Sequence, residues 1–163
     1  MPGLFYGADI TGVSDSMLRQ QRSVISRMVC APTAWKNPMV ALWIMDCEGN
    51  KTDPTFTVHE MPISQYAIAC YEKWFPSDIQ QTTFSRTVEA IDKANHQWSM
   101  VKGPIAATIL SARRFGWTLH SAHTITTDSR TLLDFTLDSH SFVSQMATEA
   151  VRRSIARGTF PYT

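Results

Sequence analysis

Apolar residues recur three to four apart through most of this chain, which predicts helices; only after Trp117 does the period drop toward two. The first helical run follows Ser14-Asp15-Ser16, which supplies an N-cap and an acid for the first turn. Met17, Leu18, Val24, Ile25, Met28 and Val29 then fall on one face, with Arg19, Arg22, Ser23 and Ser26 opposite. Pro32 ends this helix, because it lacks an N–H and restricts the residue before it. Asn37-Pro38 opens a short helix through Trp43 that stops near Gly49, and Asp53-Pro54 repeats the same cap-then-proline device.

Pro62 is expected to kink or restart the segment around it. Beyond it Ile63, Tyr66, Ala67, Cys70 and Trp74 form a helical stripe, broken by Phe75-Pro76-Ser77-Asp78, and Phe84, Val88 and Ile91 mark the next helix. Gly103-Pro104 opens another, carrying Ile105, Ile109 and Leu110, with Gly116 as its C-terminal glycine. Residues 119–127 and 131–137 are rich in Thr and in β-branched or apolar residues, and Asp128-Ser129-Arg130 lies between them as a hairpin turn. Ser139 caps a final helix with Phe142, Val143, Met146, Ala147, Ala150, Val151 and Ile155 on one side.

The fold class these elements predict is mainly α: an irregular multi-helix bundle with one short β-hairpin before the C-terminal helix. The 163 residues suit a single helical domain. Its parts are an opening string and helix at 1–32, a bundle at 33–116, the hairpin at 117–138 and the last helix at 139–157.

Composition agrees with a packed domain, since 44% of residues are hydrophobic and only 18% are charged. The net charge of +1 names no partner, but its distribution is uneven. Residues 1–36 and 102–163 carry an excess of bases, whereas 37–101 carry four bases against eight acids. Basic ends around an acidic middle predict a cationic face. Cys30, Cys47 and Cys70 are odd in number and form no CxxC pair, which favours reduced core thiols in an intracellular protein. No signal pattern opens the chain, and the apolar run from Met39 to Met45 is far short of the ~18 residues that a membrane span needs. The expected location is intracellular, nuclear or cytoplasmic, with no membrane partner.

Candidate chemistry is sparse. His120 and His123 are three apart in a strand context, so they point to opposite faces and do not share a metal. Asp134 and Asp138 are a conceivable magnesium pair, but Asp138 reads as part of the Ser139 cap and Asp128 as a turn residue. His59-Glu60 lacks a second histidine four residues after His59, where Ile63 stands. There is no glycine-rich phosphate loop and no nucleophile elbow. No cofactor, metal or catalytic residue is expected.

The string Tyr6-Gly7-Ala8-Asp9, followed by Gly12 and a helix bearing Leu18, Arg19, Arg22 and Arg27, resembles the segment just after the polymerase domain of non-LTR (LINE-type) retrotransposon reverse transcriptases. Asp53-Pro54, Trp74, Gly103-Pro104 and Gly116-Trp117 are similar to later features of that family's protist and algal members. The chain contains no Asp-Asp pair, the catalytic signature of those enzymes. The resemblance therefore implies a non-catalytic thumb or connector piece of a larger protein, partnered by an upstream polymerase domain and by RNA or an RNA–DNA duplex.

In that role Arg19, Arg22 and Arg27 would lie along phosphates, with Arg113, Arg114, Arg152 and Arg153 as further contacts. Trp98 and Trp117 are candidate stacking residues. The competing expectation is a helical protein-interaction or self-association module with no nucleic-acid role.

Overall fold

A computed structural model of the chain describes Gly7 and residues 12–29, 37–45 and 52–158. The elements in order are α1 (Asp15–Val29), α2 (Pro38–Met45), α3 (Pro54–Tyr71), α4 (Ser77–Lys93), a 3-10 turn (Gln97–Met100), α5 (Pro104–Phe115), β1 (Thr118–Leu119), β2 (Thr124–Thr126), β3 (Leu132–Asp134) and α6 (His140–Ala156). The fold is mainly helical, with a small antiparallel sheet before the last helix.

Helix α3 is the axis of the molecule. Asp53 caps it by accepting the Thr55 N–H at 2.9 Å, and Pro54 sits at its first helical position. Its buried residues run round most of the helix, from Thr55, Phe56 and His59 to Ile63, Tyr66 and Cys70. Phe56, Ile63, Tyr66, Phe115, Ile125, Leu133, Val143 and Val151 belong to one continuous core shared by α3, α5, the sheet and α6. Helix α3 continues through Pro62 to Tyr71, so the chain does not restart there. Packing on both sides holds the helix across the missing N–H, and the Thr108 hydroxyl of α5 donates to the Pro62 carbonyl at 2.9 Å.

A second core joins Phe84 and Ile91 of α4 to Ala106, Ile109 and Leu110 of α5. Gly116 ends α5 as expected, in the left-handed conformation with φ 73°, and Trp117 N–H reaches back to the Ala112 carbonyl. Ser139 caps α6 by accepting the Phe142 N–H at 3.4 Å.

The sheet differs from a simple hairpin. Residues 119–127 do not form one strand: β1 and β2 pair with each other in the order β1-β2-β3. The chain reverses between them because the Ser121 hydroxyl accepts the N–H groups of both His123 and Thr124 at 3.1 Å. The turn at residues 128–130 stands where expected, with Arg130 at φ 63°.

Helix α1 is rotated from its expected face. Leu18, Arg22, Ile25 and Ser26 are buried, whereas Met17, Val24 and Met28 are exposed. The physical reason is Arg22, which a polarity pattern assigns to solvent but which is 4% exposed. Likewise Trp74, expected in the α3 stripe, lies beyond the helix and is 54% exposed.

Candidate binding cleft

The Arg22 guanidinium donates to Asp53 at 2.7 Å, and both side chains are more than nine-tenths buried. Arg22 therefore belongs to the interior, which corrects its expected placement along phosphates. Arg114 is similarly engaged: it pairs with Asp15, donates to the Val13 carbonyl at 3.1 Å and stacks on Trp98 with its guanidinium carbon 3.8 Å from the ring centroid. It also meets His59 Nε2 at 2.9 Å, while His59 Nδ1 lies 2.7 Å from the Thr55 carbonyl. That pairing makes Nδ1 the protonated nitrogen and leaves Nε2 to accept from Arg114. Burial, reinforced by the Arg114 charge, pushes the His59 pKa down to about 3.

Arg113 pairs with Asp92 at 2.7 Å, and Arg153 makes two 2.8 Å bonds to the Asp128 carboxylate. Those bonds hold the Asp128 pKa below the usual carboxylate range and raise that of Arg153. Of the seven arginines expected at phosphates, four thus bind carboxylates of the same chain, and Arg19, Arg27 and Arg152 remain exposed. Trp117 is buried and donates to Asp128 at 3.2 Å, which removes it as a stacking residue, and one face of the half-buried Trp98 is covered by Arg114.

The other candidate groups are also occupied. His120 bonds Thr126 and His123 bonds Gln80. Asp138 accepts the Asp134 N–H, and Asp134 accepts from Thr136, so this pair builds a turn. Among the described residues no group of three or more His, Cys, Asp or Glu is placed to hold a metal ion. Cys70 is buried, and desolvation raises its thiol pKa to about 11, so it is a weak nucleophile at neutral pH. Cys30 and Cys47, with Tyr6, Ala8 and Asp9 of the opening string, lie outside the described residues. None of the described helices is long and apolar enough to cross a membrane.

What the sequence reading missed is a cleft of about 500 Å³ between α4 and the start of α5. Ile79, Gln80, Thr83 and Thr87 line it from α4, at spacings that share one helix face. Tyr66 and Ala69 of α3 form its floor, and Met100 and Ile105 face them from the opposite segment. Tyr66 is fixed by its hydroxyl, which donates to the Ala122 carbonyl at 2.9 Å.

Phe75 stands at the rim because of an unusual helix end. Lys73 adopts φ 54° where α3 stops, with its N–H bonded to Cys70 O and the Trp74 N–H bonded to Ala69 O. The next two residues are thereby turned outward: Trp74 is 54% and Phe75 60% exposed. Ile79 and Met100 on the cleft wall are also open, at 52% and 37%. Among the lining side chains the sole ion at neutral pH is Lys102, and none is acidic. Such a volume falls within the roughly 300–1,000 Å³ of small-molecule sites, whose walls are mostly apolar with a few placed polar groups.

Compared with protein-family models, curated proteins and solved structures, the chain matches none of them.

Proposed function

We propose that the protein is a non-catalytic helical binding module that receives an apolar chain in the cleft between α4 and the start of α5. The observation that carries this reading is the cleft wall itself, where Phe75, Ile79 and Met100 stay exposed around about 500 Å³ of space. An occupant would cover those side chains, and each fully covered apolar residue contributes about 1.5–3 kcal/mol. The histidines, the described cysteine and the aspartates named above serve packing, caps and ion pairs, which favours binding over catalysis.

The test uses Nile red, an uncharged apolar dye, titrated into the full chain. One saturable site is expected, and it is lost in Ile79→Glu with the helical circular dichroism unchanged. Dye uptake that never saturates, or that survives Ile79→Glu, would overturn the reading.

A second reading keeps the thumb-like role suggested by the opening string. It is favoured by the exposure of Arg19, Arg27 and Arg152, which would then carry the phosphate contacts. An RNA–DNA hybrid titrated at rising salt separates the two. Affinity that falls steeply with salt and drops in the triple Arg→Ala variant supports the second reading.

A further inference from the structure

The two edges of the sheet are finished differently. Adjacent antiparallel strands bond through alternate residues, so each strand residue turns its peptide groups to one side only. On β2, His123 and Thr127 turn toward β3: the His123 carbonyl accepts the Phe135 N–H at 2.8 Å, and the Thr127 N–H reaches the Thr131 carbonyl at 2.9 Å. Ile125 lies midway between them and also faces β3, so Thr124 and Thr126 face β1. Thr118 stands opposite Thr126, and the His120 N–H meets the Thr124 carbonyl at 3.1 Å. Leu119 sits between those two contacts. Its N–H and C=O therefore point out of the sheet, where they meet no partner among the described residues.

At the opposite edge Asp134 of β3 faces outward in the same way, but the turn that follows covers it. Its N–H donates to the Asp138 carboxylate at 2.7 Å, and its carbonyl accepts the Asp138 N–H at 2.8 Å. Such cover keeps further strands from adding to an edge. Leu119 has none.

Beside Leu119 runs a groove of about 560 Å³. One wall is the four consecutive residues from Trp117 to His120. Successive strand side chains point to opposite faces, so a groove that meets all four follows the edge rather than one face. The other wall belongs to α4, where Gln81, Phe84, Ser85 and Val88 share one helix face. None of these residues lines the cleft described above. Gln81 already reaches the backbone just past β1, its Oε1 accepting the Ala122 N–H at 2.9 Å. Arg113, the lining cation, is held by Asp92 at 2.7 Å, so the groove asks for no charged occupant.

We propose that this groove receives an extended peptide segment of another protein, which joins the three-stranded sheet as a fourth strand against β1. The peptide backbone pairs with the N–H and C=O of Leu119, and one of its apolar side chains rests against Phe84 and Val88. A helical partner has spent its backbone groups internally and cannot make that pairing. A second copy of the chain is a poor fit, because the same α4 flanks its own β1. Main-chain hydrogen bonds give a strand-addition site its affinity, so ordinary β-forming residues suffice to occupy it.

The probe is a capped pentapeptide of alternating threonine and valine, titrated into the full chain below the peptide's aggregation limit. Amide resonances and hydrogen exchange follow the binding. The Leu119 N–H is expected to shift, and with peptide at about ten times its dissociation constant the exchange of that amide should slow about tenfold. The same peptide N-methylated at every amide offers no donor and should not bind. Ser85 is exposed on the groove face of α4, so Ser85→Trp fills the groove and should abolish binding with the helical circular dichroism unchanged. Ile79→Glu, on the cleft face of α4, should leave peptide binding intact, which separates this site from the cleft.

No binding at millimolar peptide would overturn the proposal, as would equal binding of the methylated peptide. Binding that leaves Leu119 exchange unchanged, or that survives Ser85→Trp, would overturn it too. Leu119 protection that rises with protein concentration in the absence of peptide would give the edge to a second copy instead.

Discussion

Arg22 of α1 and Asp53, the N-cap of α3, meet at 2.7 Å with 5% and 8% of their side chains exposed. A single carboxylate thus caps the central helix with one oxygen and anchors the first helix with the other. Removing one partner leaves the other charge buried, a loss of about 3–5 kcal/mol for a pair of this kind. Arg22→Ala and Asp53→Ala should each destabilise the chain by that order in urea unfolding. The pair Arg22→Met with Asp53→Asn keeps an acceptor for Thr55 and removes both charges. It should cost clearly less than Arg22→Met alone, and additive losses would show that the two residues do not act as a pair.

His59 makes stability depend on pH. The unfolded chain takes up the imidazole proton near the ordinary 6.5, whereas burial lowers the folded value to about 3. Between those values the unfolded state binds more protons, so stability falls as pH drops through that window, by about 1.4 kcal/mol per unit. Above pH 7 the effect vanishes. Asp128 contributes a separate loss at lower pH, since its depressed pKa keeps stability above the ordinary 3.8 and gives it up as pH falls beneath. His59→Gln retains an acceptor for Arg114 and should flatten the curve between pH 6.5 and 4.5 while sparing the lower step. Urea midpoints measured across pH 4–8 check this, and an unchanged slope in the variant would place the sensitivity elsewhere.

The Asp128 carboxylate gathers Arg153 at 2.8 Å, Arg157 at 3.5 Å and the Trp117 indole N–H at 3.2 Å. It ties the β2–β3 turn to α6 across the edge of the core. Asp128→Asn removes the charge and leaves one acceptor, so about 1.5–3 kcal/mol should be lost, the range for hydrogen bonds to a charged group. The same change should shift the Trp117 fluorescence maximum, because the indole loses its charged neighbour. A stability loss without any spectral change would mean that the indole contact is not formed in solution.

These relationships explain which parts of the molecule were legible in advance. Asp53-Pro54, Gly103-Pro104, Gly116 and Ser139 act through their own backbone and the next turn, so spacing alone places them. Arg22 is different. Its burial depends on a carboxylate 31 positions away, and a polarity pattern cannot register an ion pair that neutralises the cost of entering the core. The Ser121 turn was hidden because a serine hydroxyl, rather than a glycine or proline, reverses the chain. The cleft drew on three separate segments, so no single stretch of spacing could reveal it.

Lys73 offers a stabilising change at the rim of that cleft. It closes α3 at φ 54°, a conformation that costs a residue with a Cβ roughly 1–2 kcal/mol and glycine almost nothing. Its side chain is exposed, so little packing is given up on replacement. Lys73→Gly should therefore gain up to about 1 kcal/mol, offset in part by the greater freedom of glycine in the unfolded chain. For a domain of this size that gain corresponds to a Tm rise of about 2–4 °C. Lys73→Ala is the control, because it removes the ammonium but keeps the Cβ, and its Tm should stay near that of the parent. Equal gains for Gly and Ala in a thermal melt would trace the effect to charge, and would deny that the backbone at this turn is strained.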